Sequence, residues 1–91
     1  MDIIARVATA FNVSPSRLLA RDRAHNVVLA RQVAMYILWR QNGNTLASIG
    51  RLLDNRTSAT ISHGFQAIAN RILKDPALKR KIEALKEELN G

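Results

Sequence analysis

The stretch from Asn26 to Gln41 constrains this chain more than any other. Its apolar residues, Val27, Val28, Leu29, Ala30, Val33, Ala34, Met35, Ile37 and Leu38, recur at helical spacing and run nearly all the way round. A helix that is apolar on every side has to be wrapped by other elements. The stretch therefore predicts the centre of a small bundle, with Asn26 as N-cap and Asn42-Gly43 as the stop. No part of the chain shows the period-two alternation of a half-buried strand.

Five further helices can be read around it. The first spans about Asp2–Phe11, with Ile4, Val7, Ala8 and Phe11 on one face, Asp2 as N-cap and Asn12 as the end. A short one runs from Pro15 to Leu19 behind Ser14; Pro15 sits at the first helical position, where its missing N–H costs nothing. Ala20–His25 reads as a loop. Thr45 predicts the cap of a helix over Leu46–Leu53, and Asp54-Asn55-Arg56 a tight turn. Thr57 or Ser58 then caps a helix reaching about Leu73. Asp75-Pro76 breaks and restarts the chain into a last helix, about Pro76–Leu89, striped by Leu78, Ile82, Leu85 and Leu89. The expectation is one all-α domain over residues 1–91, a compact bundle of about six helices. A length of 91 residues leaves no room for an ATPase domain beside it.

The charge is uneven. Residues 1–74 hold ten Lys and Arg against three Asp, and nine of those ten cations are Arg. Residues 75–91 hold four of each sign. The net charge of +7 therefore sits entirely in the first part of the chain. Arginine's planar fork suits phosphate oxygens and guanine edges, so an acidic partner is expected. There is no Cys, and His25 and His63 are the only histidines. That excludes thiolate metal sites and disulfides, and no metal or cofactor is expected. Apolar runs such as Val33–Leu38 fall far below the ~20 residues of a membrane span. Asp2 and Arg6 interrupt any signal-peptide core, so a cytoplasmic, nucleoid-associated protein is expected.

The fourth and fifth helices have the shape of a helix-turn-helix. Gly50, without a Cβ, would let the second of them pack close. In that second helix Ile61, Phe65, Ile68 and Ile72 form the inward stripe. At about 100° per residue, Ala59, His63, Gln66 and Asn70 point away from it, with Thr60 and Ser62 on the shoulders. No charged residue lies between Thr57 and Asn70. Small hydroxyls, an imidazole, amides and a methyl can approach base edges closely, and the Ala59 methyl could meet a thymine methyl. Gln66 has the amide that suits adenine but lies two turns into the helix. A nucleophilic site has no support: no acid on the same helix could orient His63 beside Ser62. A binding domain rather than an enzyme is expected.

The run Val27-Val28-Leu29-Ala30-Arg31-Gln32-Val33-Ala34-Met35-Tyr36, followed by Leu46, Ile49-Gly50, Leu53, Arg56, Thr60-Ile61 and His63, resembles the C-terminal DNA-binding domain of the bacterial replication initiator DnaA. The likeness begins near Ile3 and continues at least to Ile72. It implies an all-helical fold similar to the DNA-binding unit of the Trp repressor, and binding to short duplex boxes. It also implies a second motif helix in the major groove and the preceding basic loop in the minor groove. Arg23 falls where the family's minor-groove arginine sits, flanked by Arg21 and His25. Arg31 and Arg56 match family arginines expected to make phosphate or positioning contacts.

The departures fall on the reading helix. The family signature there is Asp-His-Thr-Thr-Val; this chain has Thr57-Ser58-Ala59-Thr60-Ile61. A carboxylate and an imidazole have become hydroxyls, and a threonine has lost its hydroxyl. At roughly 1–3 kcal/mol per good base contact, three changes can retarget or relax recognition. The expected partner is double-stranded DNA, read through Arg21, Arg23, His25, Arg31, Arg56, Thr57, Ser58, Ala59, Thr60, Ser62 and His63, with altered or relaxed specificity. Replication proteins are the other partners the family suggests. The alternative reading is a protein-interaction or dimerisation module on the same scaffold that has lost origin-box recognition, with the last helix's neutral, mixed-charge surface and leucine stripe serving a partner.

Overall fold

A computed structural model describes residues 2–41 and 43–90. It contains six α-helices: α1 (Ile3–Ala10), α2 (Pro15–Leu19), α3 (His25–Arg40), α4 (Leu46–Leu52), α5 (Ser58–Arg71) and α6 (Pro76–Asn90). The described residues form no strand. Among them, no helix is long and apolar enough to cross a membrane.

The helices start and stop where local chemistry says they should. Asp2, Ser14, Thr45 and Thr57 each accept a hydrogen bond from a first-turn N–H. Thr45 and Ser48 form a reciprocal capping box. Such caps are worth about 1 kcal/mol each. Asp75 does the same for α6, its Oδ1 accepting from the Leu78 N–H at 3.1 Å. α1 ends with Asn12 in the left-handed region at φ 58°. There the Val13 N–H bonds the Ala8 carbonyl and the Asn12 N–H bonds the Thr9 carbonyl, a Schellman closure. Gly43, at φ 89°, follows α3, while Asn42 lies outside the described residues. The Asn44 side chain donates to the Leu38 carbonyl at 2.8 Å and satisfies part of the end of α3.

The start of α3 differs from expectation. The helix begins at His25, so Asn26 is inside it, and Ala24 occupies the cap position without a side-chain bond. The physical reason lies two residues earlier. Asp22 accepts the Ala24 N–H on Oδ1 at 2.9 Å and turns the chain into the helix from there.

α3 packs against all five other helices. It buries Val27, Ala30, Val33, Ala34, Met35, Ile37 and Leu38, as its all-round apolar pattern requires. α1 contributes Ile4, Val7 and Ala8 to the core, and α5 contributes Ile61 and Ile68. Leu78, Ile82 and Leu85 of α6 are buried in the same core, and Leu89 packs against it. The leucine stripe thus faces inward. α6 is also tied to α1 by an Arg6–Glu88 ion pair and by the Lys81 ammonium, 4.2 Å from the Phe11 ring centre.

Candidate nucleic-acid interface

α4 and α5 meet through a turn whose geometry depends on Gly50. Asp54 and Asn55 both take left-handed backbone, at φ 60° and 59°. This brings the Arg56 N–H onto the Gly50 carbonyl at 3.0 Å. A Cβ on Gly50 would overlap the Arg56 carbonyl oxygen. The missing side chain therefore makes room for the turn's own backbone, one step before α5, rather than for α5 itself. A second close approach holds α5 against α3: a Cβ on Gly64 would overlap the Met35 sulfur. Further along, the Trp39 ring stacks on Phe65 with centroids 4.8 Å apart and planes 13° apart.

With Ile61, Gly64 and Ile68 buried, the opposite side of α5 is turned to solvent. Thr57, Ser58, Ala59, Thr60, His63, Gln66 and Asn70 are exposed, and Ser62 is half-buried. Two hydroxyl contacts order this face. Thr57 Oγ1 accepts the Thr60 N–H at 3.2 Å and lies 2.9 Å from Thr60 Oγ1. The two hydroxyls share one hydrogen, which leaves one to offer outward. Gln66 Nε2 donates to Ser62 Oγ at 3.0 Å, leaving the Ser62 hydrogen and the Gln66 carbonyl free. Sequence periodicity identified this face correctly, but not its internal pairing.

The Ala20–Ala24 loop lies beside it. Arg31, grouped above with the DNA-contacting residues, is only 8% exposed. Its Nε donates to the Leu18 carbonyl at 2.7 Å, and its Nη2 donates to Ala20 at 2.8 Å and Asp22 at 3.0 Å. Arg56 reaches the same place from the other side. Its Nη1 donates to the carbonyls of Leu19 at 3.2 Å and Leu53 at 2.6 Å, and its Nη2 to Ala20 at 2.7 Å. Two cations thus meet at one carbonyl. They do so because the end of α2 leaves its last carbonyls unpaired and carries the negative end of the helix dipole. Burial lowers the pKa of both guanidiniums, and neighbouring positive charge lowers it further: Arg56 acts on Arg31, and Arg21 on Arg56. These hydrogen bonds describe positioning: the two arginines tie the loop to α3 and to the α4–α5 turn.

The loop's own fold frees its remaining cations. Asp22 takes the Ala24 N–H on one oxygen, and the Arg17 Nε and Nη2 on the other, both at 2.8 Å. The backbone bond first, and Arg17 second, lower the Asp22 carboxyl below its ordinary value. Arg21, Arg23 and His25 stay exposed. A cleft of about 280 Å3 between this loop and the first turn of α5 is lined by Arg21, Asp22, Arg23, Arg31, Arg56 and Thr60. Of the predicted residues, the structure brings Arg21, Arg23, Arg31, Arg56 and Thr60 to one cleft. Among the described residues no cluster of three His, Cys, Asp or Glu could hold a metal.

Sequence reasoning missed Arg71 and Gly64. Arg71 lies at the far end of α5, beside a second, larger cleft that also borders Arg23. A signal was present: Thr60, Gly64, Ala67 and Arg71 follow at intervals of four, three and four, and so share one helix face.

Comparison with known proteins fits this architecture. The family described as "Bacterial dnaA protein helix-turn-helix" matches residues 1–68. The chromosomal replication initiator protein DnaA of Oenococcus oeni is 39% identical over 88 residues, 97% of this chain and 20% of that protein. DnaA of Herpetosiphon aurantiacus is 34% identical over 90 residues, 99% of this chain and 19% of its own length. The Streptococcus thermophilus protein gives 34% over 88 residues, again 97% of this chain and 19% of its own. The chain spans about a fifth of the length of these curated relatives. With its six helices, its helix-turn-helix and this match over most of its length, the chain belongs to the family of bacterial DnaA C-terminal helix-turn-helix domains.

Proposed function

We propose that this chain binds double-stranded DNA, with α5 in the major groove and the Ala20–His25 loop in the adjacent minor groove, and with a target altered or relaxed from the family's usual box. One observation carries the reading. Arg31 and Arg56 hold the Arg21–Arg23 loop to the base of α5, so one rigid surface presents a cationic loop and an uncharged helix face side by side. Cations near phosphates supply sequence-independent affinity, and short polar side chains read what they touch. On this reading Arg21, Arg23 and His25 meet the backbone and the minor groove. Ser58, Ala59, Thr60, Ser62 and His63 face base edges. Thr57 caps the helix and shares its hydroxyl with Thr60. Arg31 and Arg56 act from behind, as positioning residues.

Of the two features of α6 that motivated the interaction-module alternative, the leucine stripe lies in the core, while the mixed-charge face stays exposed. With that stripe covered, DNA binding is the reading retained, and on it the protein works at the bacterial nucleoid. The test is a titration of origin-type and random duplexes at two salt concentrations. Binding that weakens steeply with salt, with a preference unlike the family box, is expected. No salt-dependent binding to any duplex would overturn the proposal.

A further inference from the structure

The larger cleft has no assigned role. It encloses about 480 Å3 between the loop, the first turn of α3 and the end of α5. Arg23, His25 and Arg71 line it from these three segments with the amides of Asn26 and Gln32, and Val28 and Leu29 complete the wall. No carboxylate lines it. Arg71 is lightly held, its Nε 3.6 Å from Asp75 with more than half of the side chain exposed. An ion pair that long and that open to water contributes little and yields readily to a better anion. Arg23 borders both this cleft and the one beside Thr60, so the two lie next to each other along the flank of α5.

We infer that this cleft is an anion site, in which Arg71, with Arg23 and His25, grips phosphate oxygens of the duplex backbone away from the reading end of α5. The inference rests on the DNA-binding reading and extends it. The ligand class follows from the lining: two guanidiniums, an imidazole and two amides supply donors at several angles, as a tetrahedral dianion or diester requires. Arg71 sits about 20 Å along α5 from Thr57, at 1.5 Å per residue, so it would add a contact at a separate phosphate. It would carry affinity and salt dependence, not sequence preference.

The test compares Arg71→Gln with Arg80→Gln, which removes the same charge from an exposed position on α6 outside the cleft. Both side chains are exposed, and circular dichroism should show both variants folded. R71Q should bind every duplex roughly three- to tenfold more weakly, with the slope of log K against log salt shallower by about 1. R80Q should keep the wild-type slope. Equal behaviour of the two variants would overturn the inference while leaving DNA binding intact. If the wild type binds no duplex, the functional reading fails instead, and inorganic pyrophosphate decides the site alone. A shift of the Asn26 N–H and Arg23 Nε–H resonances, lost in R71Q, would then show an anion site for a free phosphate. Unmoved resonances would sink it.

Discussion

The Arg31 guanidinium donates inward, from Nε and Nη2, to carbonyls that lie nine to thirteen residues earlier in the chain. Only the Ala20 carbonyl among them has a second side-chain donor, Arg56, among the described residues. Arg31→Met keeps the length and removes every one of these bonds. Chemical denaturation should show a loss of about 2–4 kcal/mol, since hydrogen bonds to charged groups are strong and the abandoned carbonyls are partly buried. Arg31→Lys should restore little of it, because a point ammonium does not match a fork spread over three acceptors. A loss below about 1 kcal/mol would mean that water replaces the guanidinium. Sequence could not assign this role. Side-chain patterns report which face a residue occupies, and the partners of Arg31 are main-chain oxygens that leave no mark on any pattern. The family likeness identified the residue, but only the fold separates positioning from phosphate contact.

Between helices, what matters is how closely backbones approach. The two tight glycines of the helix-turn-helix should respond differently to the same methyl group. At Gly50 the obstacle is the Arg56 carbonyl, fixed by two left-handed residues and by its own N–H bond to Gly50. At Gly64 it is the sulfur of Met35, an unbranched side chain that can move aside. Gly50→Ala should cost about 2–4 kcal/mol, because the turn has to open. Gly64→Ala gains about 1 kcal/mol of helix propensity and loses a similar amount to repacking, so thermal melts should place it near wild type. Similar losses at both sites would contradict this division. Most element boundaries were legible because caps are local: Asp2, Ser14, Thr45 and Thr57 are each read from a few neighbouring residues. The start of α3 was not, because the acceptor that sets it, Asp22, lies in what reads as an unstructured loop. The exposed face of α5 was legible for the same reason as its buried stripe, since one period determines both. The clefts on its flank were not, because they form only where three segments converge.

Over the whole molecule, the excess charge and the outward face of α5 are separated. The excess of Arg lies within residues 1–74, yet the segment from Thr57 to Asn70 carries no charge at all. Arg31 and Arg56 are occupied internally, which leaves Arg21, Arg23 and Arg71 as the exposed arginines lining the two clefts beside α5. Affinity and preference should therefore respond to different substitutions. Arg23→Ala should weaken binding and reduce any preference for A·T-rich flanks, whose narrow minor groove attracts arginine. Ala59→Thr and Ser62→Ala should shift the preferred bases in the major groove and leave the salt slope unchanged, because neither removes a charge near a phosphate. Selection from a random duplex pool, followed by titration of the winners at two salt concentrations, reads both quantities. If Arg23→Ala and Ala59→Thr changed every sequence by the same factor, the uncharged face of α5 would not be reading bases, and the domain would be holding DNA by its backbone alone.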